Sequence, residues 1–161
     1  MYRHEITEIA PHTWCLSEFR LVNAFLIEGE EKAALVDTGC GIGDLAGEVR
    51  ALTDKPLIIL LTHTHFDHDG GVFEFPGVPV YVNPLDGERA EEDHKNMEKF
   101  MGTTDYNKMR SFYIQSRGPI RCPDLDQEEL LKLVPNHPTE GSYPWPVSYT
   151  HLRAHETKAN L

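Results

Sequence analysis

Residues 57–71 read LIILLTHTHFDHDGG. Residues 57–61 are short and wholly apolar, with Pro56 in front, which suits a β-strand buried on both faces. The run leads without a spacer into Thr62-His63-Thr64-His65-Phe66-Asp67-His68, so three imidazoles and a carboxylate stand within six residues. A loop at the C-terminal end of a buried strand is a rigid platform for a site. Imidazole nitrogen and carboxylate oxygen suit zinc and related divalent ions. Alternation along an extended backbone sends His63 and His65 toward one centre, and the tight Asp67-His68 step can address a second. Two metal ions about 3.5–4 Å apart share a hydroxide in such sites, and water bound there ionises near pH 7. Histidines scattered singly are ordinarily solvated loop residues. The density, the spacing and the place at a strand end favour ligation here.

Upstream, residues 4–9 and 12–17 read as two short strands around Pro11. Residues 24–28 (AFLIE), a polar turn at 28–31 and residues 33–36 (AALV) read as a hairpin. Asp37-Thr38-Gly39-Cys40-Gly41 breaks the last strand. Ile42, Leu45, Ala46, Val49 and Leu52 then recur at helical spacing, predicting an amphipathic helix over about 43–53. Downstream, residues 78–82 read as an edge strand, because Pro79 cannot donate to a sheet ladder. Residues 84–117 are mostly helical, in two pieces separated at Gly102 to Asp105. Met97, Phe100 and Met101 share one face, and Met109, Phe112 and Tyr113 another. Helix packing is the first reading of those faces, and an apolar pocket the second. Residues 135–146 (PNHPTEGSYPWP) read as an extended crossing segment. The alternation of strands and helices predicts an α/β layered domain.

His63-x-His65-x-Asp67-His68 resembles the HxHxDH signature of the metallo-β-lactamase superfamily, and Asp37-Thr38-Gly39 resembles its DTG turn. The stretch Asn23-Ala24-Phe25-Leu26-Ile27 is similar to the family's opening hairpin. The likeness covers essentially residues 4–146, with motif-level matching confined to about 23–71. The resemblance implies an αββα sandwich and a dinuclear zinc site, with iron or manganese as alternative metals. By that resemblance His63 and His65 bind the first ion and Asp67 and His68 the second. Asp67 is also the catalytic residue that orients the attacking water or holds its proton. Asp37 is the acid behind the ligands that orients them; the alternative for Asp37 is a turn cap. The family closes its site with a later His, a bridging Asp and a final His, none of which has a match here. His137 sits in a different turn, His94 in a charged helical stretch, and His4 and His12 read as surface residues.

The last residues need separate treatment. Residues 147–157, VSYTHLRAHET, resemble the translation of a transposase-type sequencing-library adapter. Residues 147–161 are therefore expected to be a non-native, adapter-derived tail. Residues 1–146 are then a single metallo-β-lactamase domain, truncated, with its C-terminal half missing. The i, i+4 pair His151 and His155, otherwise a ligand spacing on one helix face, is set aside with the tail.

Composition narrows the function. The chain has 161 residues, 40% of them hydrophobic, enough for a packed core. A formal charge of −11 disfavours nucleic acid and anionic membrane as partners. There is no signal-peptide or membrane-span pattern, so a soluble, cytoplasmic protein is expected. Three widely spaced cysteines read as reduced thiols. Among the substrates that the family resemblance implies, a small-molecule ester, thioester or lactone is the expected one. A flavodiiron-like redox member of the fold is the alternative, although such members carry Glu where His65 stands. A non-catalytic fragment is the other, and the chain is expected to have little or no hydrolase activity of its own.

Overall fold

The computed structural model describes residues 3–103, 105–132, 134 and 150–151. The chain opens with four antiparallel strands, β1 (Glu5–Ala10), β2 (Thr13–Glu18), β3 (Val22–Glu28) and β4 (Ala33–Val36). Helix α1 (Leu45–Leu52) crosses over to β5 (Leu57–Leu60), which lies parallel to β4. The helical turn α2 (Phe66–Asp69) follows, and then β6 (Val80–Val82), parallel to β5. Helices α3 (Pro84–Met101), α4 (Tyr106–Arg121) and α5 (Gln127–Leu131) come next. Two residues, β7 (Thr150–His151), pair in parallel with β6, so the sheet order follows the chain from β1 to β7. This is the expected α/β architecture. β7 falls within the segment read as a tail; the segment expected to cross at 135–146, with His137, lies outside the described residues.

Local chemistry accounts for the boundaries. Asp44 caps α1 by accepting from the Gly47 N–H. Asn83 caps α3, with Pro84 in the first turn, where a missing N–H costs nothing. Gly102 stops α3 in a left-handed conformation, φ 65°, and Asp105 starts α4 by accepting from two backbone N–H groups. Helix α4 runs through Pro119 to Arg121, past the expected end at 117. The unexpected α5 is capped by Asp126.

Two cores flank the loop after β5. The first joins Leu16, Leu26, Leu35, Ile59 and Leu61 of the sheet to Leu45 and Val49 of α1. The second joins Phe19, Ile42 and Phe66 to Met109 and Ile114 of α4 and Leu130 of α5. Each such side chain contributes roughly 1.5–3 kcal/mol by leaving water. Leu61 belongs to one core and Phe66 to the other, so the residues between them are anchored at both ends.

β5 departs from expectation. Leu57 and Ile59 are buried, but Ile58 and Leu60 are only half-buried. They share a sheet face with Phe25, Val36 and Tyr81, also half-buried, and with Ile27, which is 44% exposed. That face is only partly covered by the described residues, and the expected burial on both sides is not met there. No helix among them is long and apolar enough to cross a membrane.

Candidate metal centre

The site is built at the C-terminal ends of β4 and β5. Asp37 directly follows β4 in a left-handed conformation, φ 60°, unusual for a residue with a Cβ but tolerated by Asp. That turn brings its carboxylate across to the end of β5. Oδ1 accepts from the Thr62 N–H at 2.8 Å, and Oδ2 accepts from the Thr62 hydroxyl at 2.8 Å. Oδ2 also lies 2.8 Å from His68 Nδ1. Asp37 is 5% exposed. Its hydrogen bonds reach the end of β5 and His68.

The motif backbone is extended to His65, which stands before the first residue of α2. The His63 ring centroid lies 4.5 Å from that of His65 and 4.1 Å from that of His68. His63 Nδ1 is 3.0 Å from the Thr62 hydroxyl, which leaves Nε2 as its other nitrogen. His68 is likewise held at Nδ1 by Asp37, and its Nε2 lies 3.9 Å from Asp67 Oδ2. The Tyr113 hydroxyl, from α4, donates to the same Asp67 oxygen at 3.1 Å. The Asp37 hydrogen bond raises the His68 pKa against the effect of burial. Burial, then the neighbouring His68 and His65, lowers that of His63. Burial, with the Cys40 and Asp67 charges, pushes the Tyr113 phenol well above its ordinary range.

The four residues of the motif and Asp37 thus come together. Among the described residues no three His, Cys, Asp or Glu side chains stand at coordinating geometry around one point. The donor set nevertheless fits a divalent ion chemically: two of the three clustered rings are held through Nδ1 by an oxygen partner, one of them a carboxylate. That is the usual support of a metal-bound histidine.

Two loops are locked beneath this cluster. Thr38 N–H donates to the His68 carbonyl at 2.7 Å, and the Thr38 hydroxyl donates to the same oxygen at 3.0 Å. Gly70 and Gly71 permit the approach: a Cβ on Gly70 would meet the Phe66 carbonyl at 2.4 Å, and one on Gly71 the Thr38 carbonyl at 2.3 Å. Arg110, 1% exposed on α4, donates from Nε to the Cys40 carbonyl at 2.8 Å and from its second terminal nitrogen to the Gly70 carbonyl at 3.2 Å. Glu18, 2% exposed, accepts from the Cys40 N–H at 2.8 Å and the Ile42 N–H at 2.7 Å. Neither residue stands out in the sequence. A buried charge is set by its partners, and those come from distant segments.

His4 corrects an expectation. It is buried, 6% exposed, and its Nδ1 lies 2.6 Å from Glu48 Oε2. His12 is exposed, as read from the sequence. The side chain of His94 lies outside the described residues. Cys15, Cys40 and Cys122 are all free thiols.

Beside the motif, between α3 and α4, lies a cavity of about 340 Å³. His65, Phe66 and Asp67 reach it, and Met97, Met101, Met109, Phe112 and Tyr113 line it. The methionine and aromatic faces border this cavity, and Met109 is also buried in the second core.

The family model described as the metallo-beta-lactamase superfamily matches residues 18–153. That span includes residues 147–153 of the segment read as a tail. The acyl-coenzyme A thioesterase MBLAC2 of Bos taurus is 35% identical over 37% of this chain and 25% of its own length. The Homo sapiens protein of the same name is 34% identical with the same coverage. The chain thus spans about a quarter of the length of these relatives. Among solved structures, the metallo-beta-lactamase of Hirschia baltica aligns with 57% of this chain and 48% of its own, at 24% identity and a TM-score of 0.50.

Proposed function

The chain belongs to the metallo-β-lactamase superfamily, and from that premise we propose that it is a metal-dependent hydrolase of small-molecule thioesters, with esters and lactones as related substrates. The observation that carries this reading is the gathering of the imidazoles around His63, whose ring centroid lies 4.5 Å from that of His65 and 4.1 Å from that of His68, with Asp37 bound behind His68. The acyl-coenzyme A thioesterase relatives support the choice of thioester.

His63 and His65 would hold one zinc ion, and Asp67 and His68 a second. When bound, zinc supplies hydroxide at neutral pH and polarises the scissile carbonyl. Asp37 fixes the His68 ring and keeps its proton on Nδ1, leaving Nε2 as the ligand nitrogen. Asp67 presents a carboxylate on the cavity side of the cluster, where it can hold the proton given up by water. The Tyr113 hydroxyl fixes the Asp67 rotamer. Phe66, buried in the second core, keeps the motif from relaxing into solvent.

The test is thiol release from acetyl-coenzyme A by the zinc-loaded chain. Slow release above a zinc-only blank, lost on chelation and in Asp67→Asn, is the expected result. Release indifferent to chelator, or unchanged in Asp67→Asn, overturns the reading; no release together with no zinc bound by the motif overturns it as well.

A further inference from the structure

We propose that the cavity between α3 and α4 is an acyl-chain subsite, which takes an unbranched hydrocarbon tail and delivers its carbonyl end to the His65 and Asp67 side of the motif. This rests on the thioester reading above.

The argument begins with helical spacing. On α4, Met109, Phe112, Tyr113, Ser116 and Arg117 recur at intervals of three and four, so they form one stripe. Met97, Phe100 and Met101 form the facing stripe on α3. Two such stripes would ordinarily close on each other. Here they stand apart around about 340 Å³ of space, within the size range of ligand pockets. Phe100 stays 79% exposed, Phe112 49% and Met97 39%. Large apolar side chains left in water beside a cavity mark a binding surface.

The floor of the cavity identifies the occupant. His65 and Asp67 reach it, so whatever fills the space has one end at the metal motif. The walls offer methionine and phenylalanine, and the polar side chains, Tyr113, Ser116 and Arg117, lie along one side of α4. An apolar, neutral tail with a reactive polar end matches that distribution. Methionine is unbranched and polarisable and adapts to linear chains of differing length. A second void of about 30 Å³ shares His65, Phe66, Met97 and Met109 with the first, so further space lies beside the same residues.

The test is calorimetric titration of the full chain with octanoate, decanoate and dodecanoate. Affinity is expected to rise about fourfold per added methylene, from ~0.8 kcal/mol for each one buried. Phe112→Ser and Met97→Ser, both at exposed positions, should each weaken dodecanoate binding roughly tenfold while the circular dichroism spectrum is unchanged. Equal affinity at every length, no binding, or binding untouched by both substitutions overturns the proposal. Acyl-coenzyme A substrates of the same lengths separate the two readings. Turnover that does not vary with length leaves the hydrolase standing and removes the subsite. Length-dependent fatty-acid binding with no thioester turnover keeps the subsite and removes the hydrolase.

Discussion

Asp37 combines an unusual backbone conformation with three hydrogen-bonded contacts, which makes its carboxylate testable in isolation. Asn also tolerates the left-handed region, so Asp37→Asn removes the charge while keeping the turn. Loss of a carboxylate behind a metal-bound histidine typically weakens metal binding 10–100-fold. Zinc competition against a chromogenic chelator should show that loss with little change in the urea midpoint; an unchanged zinc affinity would make Asp37 merely structural. Glu74 gives a second prediction at this scale. Burial pushes its carboxyl up to about 7, opposed by the Ala46 N–H and His4 and reinforced by Glu18 and Asp44. The folded chain then holds a proton that the unfolded chain releases near the ordinary 4.5, so stability falls as pH rises through that window. His4 acts in the same sense. Burial opposes its charge, but Glu48, Glu18 and Glu74 raise its pKa, so its contribution is complete below 6.5 and is lost as pH climbs through the folded value. The chain should be more stable at pH about 5.5 than at about 8, by roughly 1–3 kcal/mol. Glu74→Gln should flatten the slope of the urea midpoint against pH. His63, His65, Asp67 and His68 were legible as one group because they fall within six residues; their role as ligands belongs to the proposal. Glu18, His4 and Arg110 were not, because no periodicity announces a charged residue whose partners lie tens of residues away.

At the scale of elements, the site depends on α4 and on two glycines. Arg110 carries the Cys40 and Gly70 carbonyls from inside α4, and its guanidinium lies 5.8 Å from the Phe66 ring and 5.2 Å from the Phe73 ring. Arg110→Met keeps the stem and strands both carbonyls, for an expected loss of roughly 3 kcal/mol in urea unfolding; a loss below about 0.5 kcal/mol would show that the loops hold without it. Gly71→Ala forces a Cβ against the Thr38 carbonyl backbone, which cannot yield as a side chain end would. A comparable destabilisation is expected, together with weaker zinc binding, because Thr38 also holds the His68 carbonyl. Strands and long helices were legible from alternation and from helical spacing, to within a residue or two for β1 and β2. The end of α4 was misjudged because a proline ordinarily ends a helix at the preceding residue, whereas here the helix runs through Pro119 to Arg121. Helix α5 was missed because five residues carry too little periodicity, although Asp126 before a Glu-rich turn is a usable cap signal.

At the scale of the whole molecule, the sheet has one packed face and one half-covered by the described residues. Phe25, Ile27, Ile58 and Leu60 share the open face, and apolar surface of that kind drives association. The purified chain should elute above monomer size in size-exclusion chromatography with light scattering. Ile27→Lys with Ile58→Lys should shift it toward monomer; a monomeric wild type would mean that residues outside the described set cover the face. The sequence reading of β5 as buried on both sides belongs here: a LIILL run reports two apolar surroundings but not what supplies the second. The origin of residues 147–161 is decided at the same scale. The adapter-like string argues for a non-native tail, while the family match to residue 153 and the pairing of β7 with β6 place part of that string alongside the fold. Resequencing the source gene through the Pro146 codon separates the two.

The central claim is that the β5 loop binds metal through His63, His65, Asp67 and His68. It is tested most directly by equilibrium zinc binding to the full chain, compared with a His63→Ala/His68→Ala variant and a His151→Ala/His155→Ala variant. The expected result is zinc bound by the wild type, retained when the tail histidines are removed and lost when the motif histidines are removed. Zinc retained by the motif variant and lost from the tail variant would contradict the account and move the metal to the other end of the chain.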